Sequence, residues 1–370
     1  MGISIKKVNF INFIGLALLM IATYERLFNY TGISGNYTSI ISVVLILLGI
    51  VIEAFKTKGK IKIDYLSLLC ILPIVLYGFS KETMRYGVFF LIILIWRRNS
   101  FADLYGFHIL NIIIGFCFII LQIIEKNPRP SGFIYSPTIF SCFIVTSLTY
   151  ILFEKKHKKN KFTKLFLTII SLFLIYITES SSSLICCIGI IIYKVVINFI
   201  IKESKKMNEV KYKKLTKIII MIIILVIIII MLNLDKVLLI INRENREASS
   251  TTRLKYINIF FNEFLRNWKN FFIGCGGGYT QYYINSFLNV SNHMPLHQDI
   301  LMILCEYGIL GTIFIYKNFI KKLNLNFLII VVSILATFHN LILCPSLCVY
   351  ILISSNTLNK QYEKEQKIWS

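Results

Sequence analysis

The run Ile218–Leu232 (IIIMIIILVIIIIML) constrains the fold of this chain more than any other segment. It carries no charge, and apolar runs of similar character recur along most of the sequence. A helix needs about 20 mostly apolar residues to cross the hydrocarbon core of a bilayer. Only helices and closed barrels satisfy their backbone groups there. Because these runs are continuous rather than alternating, we predict an all-α polytopic membrane protein.

Composition supports this class and argues against a nucleic-acid partner. Of the 370 residues, 56% are hydrophobic and 16% are charged, whereas soluble proteins carry about 25% charged residues. The net charge of +22 would suggest nucleic acid in a soluble protein. Here the basic residues lie between apolar runs, so membrane topology accounts for them. The cysteines lie mostly inside these runs, and their spacing predicts no disulfide framework.

Windowed hydropathy predicts about twelve transmembrane helices in a single integral membrane domain, 1–370. The first run lacks a small-residue cleavage site, so we interpret it as a retained helix. The last two segments are short enough to form a re-entrant hairpin instead. The predicted spans are 8–24, 38–55, 63–80, 83–96, 103–124, 137–153, 165–178, 183–201, 218–234, 299–316, 327–343 and 345–357.

Basic residues alternate between the predicted loops as the positive-inside rule requires. With Lys6 and Lys7 inside, every second loop is rich in Lys or Arg, as in 155–164 and 202–217. The intervening loops, such as 125–136 and 179–182, carry few basic residues. This alternation predicts that both termini are cytoplasmic and that the protein is multi-pass in a bacterial cytoplasmic (inner) membrane.

One predicted outside loop, 235–298, is much longer than the others. Loops of this length are usually functional or disordered. Within it, Arg253–Phe272 (RLKYINIFFNEFLRNWKNFF) repeats apolar residues at helical spacing and carries Lys, Arg and Asn on the other side. We therefore predict a large extracytoplasmic loop with an amphipathic helix that lies at the membrane interface.

The large loop carries groups suited to an anionic substrate. The guanidinium groups of Arg243, Arg246 and Arg253 can pair bidentately with phosphate oxygens. Lipid head groups, or Glu244 and Glu247, are alternative partners for them. The glycine-rich run IGCGGGY can present N–H groups to phosphate, although a plain turn is the alternative interpretation.

Two histidines stand four residues apart before the tenth predicted span. His293 and His297 have a spacing found in zinc sites, but Pro295 between them spoils a regular helix and no third ligand is close in sequence. We therefore expect no metal and favour His297 as a general base, with Asp299 and Glu306 near enough in sequence to orient it. A cap of the tenth span is the alternative role for His297.

Ionisable residues inside predicted spans are further candidates because their burial in lipid is costly. His108 and His339 lie within spans, and Glu179 lies at the mouth of the seventh. For His339 we favour hydrogen bonding within the helix bundle.

Four segments resemble the O-antigen ligase and polymerase superfamily. His297–Gly311 (HQDILMILCEYGILG) resembles its signature, a His before a helix of the form L-x-x-L-x-E-x-G-x-x-G. The other segments, in chain order, are Arg129–Pro137, Thr178–Leu184, and Arg253 with Ile273–Gly278. The sequence departs from the family pattern at Gln298 and Thr138, where the family has Asn, and in Thr178–Leu184, where serines replace an Arg.

The resemblance implies a metal-independent inverting glycosyltransferase without a cofactor. Its donor would be an undecaprenyl-diphosphate-linked oligosaccharide, and its acceptor a glycan hydroxyl at the outer face of the membrane. His297 would be the base and Glu306 would orient the helix or the histidine. The residues expected to bind the diphosphate are Arg253, Arg246, Arg129, Gly276 and Gly278.

The predicted function is the polymerisation of repeat units for O-antigen, capsule or exopolysaccharide. The partners implied are the lipid-linked oligosaccharide, the acceptor glycan, membrane lipids, a flippase and a chain-length regulator. Ligase-type transfer of the finished glycan to a final acceptor is one alternative. A transporter such as a lipid-linked sugar flippase is another, but the halves show no paired repeats and the polar residues gather in one loop. A non-catalytic scaffold is the third.

Overall fold

The computed structural model describes five main stretches, 104–134, 136–154, 160–204, 267–276 and 299–320, and a C-terminal segment, 350–359. Isolated positions are also described at 218, 221–222, 225, 279–280, 323, 326–327 and 347–348. Within these residues the secondary structure is helical, with no strand. This agrees with the predicted all-α class.

The helices follow the apolar runs of the sequence. Helix α2 begins where the sequence predicts, because Pro137 has the fixed φ of a first helical residue and the Ser136 hydroxyl accepts a hydrogen bond from the Ile139 N–H. Residues 350–359 are also helical. The helices are α1 (Tyr105–Ile124), α2 (Pro137–Phe153), α3 (Lys161–Ile177), α4 (Ser181–Ser204), α5 (Trp268–Ile273) and α6 (Asp299–Ile320).

The first four helices form an up-and-down bundle in which α1 and α4 both pack against α2 and α3. At one end, the Lys164 ammonium group donates to the Glu154 carbonyl oxygen at 2.8 Å and lies over the Tyr105 ring. At the other end, the Thr178 hydroxyl joins the Ser141 hydroxyl at 2.7 Å. Consecutive helices in the bundle therefore run in opposite directions, as they do in the predicted topology.

The bundle exposes apolar side chains on its outer surface and buries small polar side chains beside its apolar core. Large apolar side chains are exposed on α1, α3 and α4, among them Leu121, Phe162 and Val195. The buried set includes Ser141, Thr146, Ser147, Thr149, Ser171 and Ser183. Small polar residues between helices and apolar residues on the outer surface are the arrangement expected for helices that pack in lipid. In the described part of the chain, one helix, α1, has the length and apolar composition needed to cross a membrane.

His108 takes part in a buried hydrogen-bond network that joins α1 and α2 to the helix at 350–359. Its Nδ1 lies 2.6 Å from the Tyr350 hydroxyl and its Nε2 lies 3.3 Å from the Ser354 hydroxyl. The Tyr350 hydroxyl also lies 2.8 Å from the Ser147 hydroxyl, to which Asn111 donates at 2.8 Å. This network of hydrogen-bonded side chains links the three helices.

Helices are confirmed at five predicted spans, 103–124, 137–153, 165–178, 183–201 and 299–316. For the last pair, the structure describes a helix at 350–359 where 345–357 was predicted. Apart from isolated positions, the spans 8–24, 38–55, 63–80, 83–96, 218–234 and 327–343 lie outside the described residues, as does His339. The count of twelve, the orientation of the termini and the single domain stay predictions.

Candidate functional site

Helix α6, which begins at Asp299 of the signature segment, is broken in its middle. Gly308 has φ 67° and ψ −179°, so the regular hydrogen-bond ladder stops there and a second helical half follows. The last carbonyl groups of a helix have no partner within the helix. The break therefore leaves the carbonyl oxygens just before Gly308 to be satisfied by another part of the chain.

The glycine-rich loop supplies the missing donors. The Cys275 N–H donates to the Cys305 carbonyl oxygen at 2.7 Å, and the Gly276 N–H donates to the Glu306 carbonyl oxygen at 3.0 Å. Helix α5 precedes this loop and packs on α6. Consequently, the loop acts as a cap for the first half of α6, and the N–H group of Gly276 is engaged within the protein.

Two glycines allow the backbones to meet at this crossing. A Cβ on Gly308 would overlap the carbonyl group of Phe272, and a Cβ on Gly274 would overlap the carbonyl group of Glu306. Both residues also have positive φ, 67° and 88° respectively, which side-chain-bearing residues rarely adopt. The glycine-rich loop and the signature helix thus pack closely because neither Gly274 nor Gly308 carries a side chain.

Glu306 lies at the centre of this contact. Its side chain is 1% exposed, and its Oε1 accepts a hydrogen bond from the Thr280 hydroxyl at 2.5 Å. Burial, and next the charge of Glu306, raise the pKa of the Cys275 thiol to about 11. Cys275 is therefore a neutral thiol near neutral pH, and the ionisable group of interest here is the buried carboxyl group.

Arg129 lies at the end of the bundle that carries the Thr178–Ser180 turn. It is exposed on the turn between α1 and α2. Gln122 holds this turn, because its Oε1 accepts from the Ser131 and Gly132 N–H groups at 2.7 and 3.1 Å and its amide donates to the Gly132 carbonyl oxygen. The orientation of the Arg129 turn thus depends on one buried glutamine.

We expect Gln122→Leu to disturb this turn. The substitution keeps the side-chain volume but leaves two buried N–H groups without an acceptor, which costs about 1–3 kcal/mol for each. A lower melting temperature of the purified protein in detergent, relative to wild type, would be the measurement. Asn127→Ala, which removes the exposed acceptor of the Arg129 N–H, is the control and should change the melting temperature little. Equal melting temperatures for Gln122→Leu and wild type would contradict this account.

The serine-rich segment Thr178–Leu184 forms the turn between α3 and α4. The Thr178 hydroxyl bonds to Ser141, and the Ser180 hydroxyl donates to the Ser183 hydroxyl at 2.9 Å. Glu179 in the same turn has a positive φ of 54°. Where the superfamily pattern has an arginine, this chain therefore has buried hydroxyl groups that tie α4 to α2 and α3.

The structure describes three of the predicted site residues, Glu306, Gly276 and Arg129. It brings Glu306 and Gly276 into direct contact. His297, Arg253, Arg246 and Gly278 lie outside the described residues. Within the described residues, no group of three or more His, Cys, Asp or Glu side chains could hold a metal ion. Gly274 lies within the glycine-rich run singled out from the sequence, whereas Thr280 was missed, because a threonine after such a run has no distinctive pattern.

Comparison with known proteins gives one family match. Residues 166–316 match the family model described as O-Antigen ligase. This part of the chain is therefore similar to the O-antigen ligase family. The match supports the superfamily predicted from the motifs. No curated protein matches the chain, and no solved structure matches it.

The region that matches the family model contains both halves of the contact described above. It spans most of α3, all of α4 and α5, the loop from Gly274 to Thr280, and α6 up to Tyr316. Arg129 lies before the matched region, and the Thr178–Ser183 turn lies within it. The glycine-rich loop and the signature helix therefore belong to one family region in which they are packed against each other.

Proposed function

We propose that this protein polymerises lipid-linked oligosaccharide repeat units of an O-antigen, capsule or exopolysaccharide at the outer face of the membrane. The observation that carries the proposal is the family match over 166–316, which contains the glycine-rich loop docked on the signature helix. The donor is a glycan on undecaprenyl diphosphate, and the acceptor is a sugar hydroxyl of a second lipid-linked unit.

In the proposed reaction, the acceptor hydroxyl attacks the anomeric carbon of the donor while the bond from that carbon to the diphosphate oxygen breaks. His297 takes the hydroxyl proton as general base. Attack opposite the leaving group inverts the anomeric centre. The diphosphate leaves without a general acid, since it is already a stable anion and needs cationic and N–H partners instead. No metal or other cofactor takes part.

Arginines from different parts of the chain are assigned the role of stabilising the negative charge on the leaving diphosphate. Arg253 and Arg246 come from the large loop, and Arg129 comes from the turn after α1. Arg129 is exposed on the Gln122-held turn, at the end of the bundle that carries the Thr178–Ser180 turn. Gly276 and Gly278 belong to the substrate-binding loop, where the Gly276 N–H fixes the loop on α6.

The exposed aromatic surface of α5 supports a site at the membrane interface. Trp268 is 75% exposed and stacks with Phe272, which is also exposed, and Lys269 is exposed beside them. Aromatic and basic side chains together favour the head-group region of a bilayer. The amphipathic helix predicted over Arg253–Phe272 is interrupted at Asn267, whose backbone is extended, and α5 begins after it. We propose that the exposed surface of α5 holds the large loop near the polyprenyl head group.

The proposed cellular setting follows from the topology predicted above. The chain crosses the bacterial cytoplasmic membrane about twelve times with both termini cytoplasmic and the 235–298 loop outside. A flippase would deliver the lipid-linked unit to the outer face, and a chain-length regulator would act on the product. Transfer of a finished glycan to a final acceptor is the second candidate, favoured by the description of the matched family as O-antigen ligase.

The test is an analysis of carrier lipids and surface glycans in cells that lack the gene and carry wild type, His297→Ala or Arg253→Ala. We expect both variants to lose long polymer and to accumulate single repeat units on the carrier. Long polymer that remains on the carrier would identify a ligase instead. Normal polymer in the absence of the gene would refute glycan transfer and would favour the alternative that the protein is a transporter.

A further inference from the structure

A hydrogen bond between two buried side chains joins the end of the glycine-rich loop to the signature helix. The Thr280 hydroxyl donates to the Glu306 carboxyl group at 2.5 Å, and both residues are 1% exposed. Burial strengthens a hydrogen bond, and it makes a polar group that loses its partner costly. This contact links residues that are 26 positions apart in the sequence.

The position of Glu306 on α6 gives the contact a geometric consequence. Glu306 follows Asp299, the first residue of α6, by two helical turns, or about 10 Å along the axis. Thr280 precedes α6 in the sequence, and α6 begins at Asp299. His297 comes two residues before Asp299. The contact of Thr280 with Glu306 therefore fixes the end of the glycine-rich loop about 10 Å along α6 from Asp299.

Glu306 holds the loop at two separate points. Its carbonyl oxygen accepts from Gly276, and its carboxyl group accepts from Thr280. If the Thr280 hydroxyl is removed, the main-chain contacts of Cys275 and Gly276 with α6 remain. Loss of the hydroxyl should thus release the Thr280 end of the loop while α5, Cys275 and Gly276 stay docked on α6.

We infer that Thr280 is a positioning residue for glycan transfer, and that it acts by fixing the end of the glycine-rich loop to the Glu306 carboxyl group. This inference rests on the proposed function and deepens it. The buried Glu306 carboxyl group serves as the anchor for Thr280. Neither residue is required to touch the sugar, and Thr280 contributes through its hydroxyl group rather than its methyl group.

The experiment compares Thr280→Val, Thr280→Ser and Thr312→Val in isolated membranes. These membranes also contain the lipid-linked repeat units that accumulate in a strain lacking the gene. Thr312 provides a matched control on α6, since its hydroxyl bonds to the Gly308 carbonyl oxygen at 2.7 Å within the helix. The measurement is the rate at which carrier-linked units become polymer, normalised to the amount of tagged protein in the membrane.

We expect Thr280→Val to lower this rate by about tenfold or more, in keeping with the loss of a hydrogen bond between buried groups. Thr280→Ser and Thr312→Val should stay within about threefold of wild type. Because serine restores the hydroxyl and loses the methyl group, its rescue separates positioning from packing. Thr280→Ala replaces the valine variant if that protein fails to accumulate.

A double mutant tests whether Thr280 acts through Glu306. Thr280→Val in a Glu306→Ala background should cause no further loss, since the partner is already absent. A wild-type rate for Thr280→Val, a serine variant as slow as the valine variant, or multiplied losses in the double mutant would each overturn the inference. Failure of wild-type membranes to convert carrier-linked units would instead refute the proposed function itself.

Discussion

Replacing Gly308 with alanine is expected to abolish glycan transfer. The new Cβ would overlap the backbone of Phe272 and Ile273, where the loop crosses the helix break. The φ of 67° and ψ of −179° at Gly308 lie in a region that is essentially restricted to glycine, which adds a further penalty of about 1–3 kcal/mol for any side-chain-bearing residue. Because the neighbouring atoms belong to the main chain, they cannot yield by a side-chain rotation. The total cost should reach about 3 kcal/mol or more, enough to undock the loop from α6.

The measurement is polymer formation together with limited proteolysis of the purified protein between α5 and α6. Gly308→Ala should lose long polymer and become more sensitive to protease there than wild type. Gly274→Ala, on the other side of the crossing, should behave in the same way, since its Cβ would meet Glu306 and Tyr307.

Gly106→Ala is the matched control for these variants. Gly106 lies in the first turn of α1, and a Cβ built on it would meet no atom within 4 Å. Alanine there should leave polymer formation and protease sensitivity unchanged. Wild-type activity of Gly308→Ala, with the control behaving as expected, would contradict the close crossing of the two backbones.

Local sequence signals predicted the helices of the described bundle well. The start of α2 was predictable because Ser136 and Pro137 form a strong start signal, and its apolar run ends at Phe153. The ends of α1 and α3 differ from the predicted bounds by a few residues, since hydropathy marks the apolar stretch rather than the last hydrogen bond. These properties depend on neighbours in sequence.

The break in α6 was not predicted, and 299–316 was expected to form one uninterrupted helix. A glycine within an apolar run is compatible with a regular helix, so Gly308 alone does not reveal a break. Its positive φ depends on the approach of Phe272 and Gly274 from a loop more than 30 residues earlier. Such a tertiary contact leaves no periodic signal in the sequence.

The site was predicted from local sequence features and from the family resemblance together. Glu306 was selected because it is near His297 in sequence and Gly276 because it lies in the glycine-rich run, and both also match family motifs. The structure adds that they touch each other through a 3.0 Å main-chain hydrogen bond. The role of Thr280 could not be found in this way, because a threonine after a glycine run has no distinctive pattern. Only the fold places its hydroxyl beside a carboxyl group 26 positions later.

The second large effect is expected for Glu306→Ala, which should lower glycan transfer by about a hundredfold or more. The substitution leaves the Thr280 hydroxyl without its acceptor and removes a buried side chain, whereas the Glu306 carbonyl oxygen still accepts from Gly276. Glu306→Gln keeps the volume and one acceptor oxygen but loses the charge, so we expect an intermediate loss of about tenfold.

Polymer formation per amount of membrane protein is the measurement, and Glu125→Gln is the matched control for the loss of one negative charge. Glu125 is exposed at the end of α1, so its neutral replacement should leave the rate unchanged. The order wild type, Gln, Ala would indicate that the charge and the volume of residue 306 both contribute. If Glu306→Ala polymerised glycan at the wild-type rate, the anchor formed by Glu306 and Thr280 would be unnecessary, and the positioning of the loop would have to come from the glycine crossing alone.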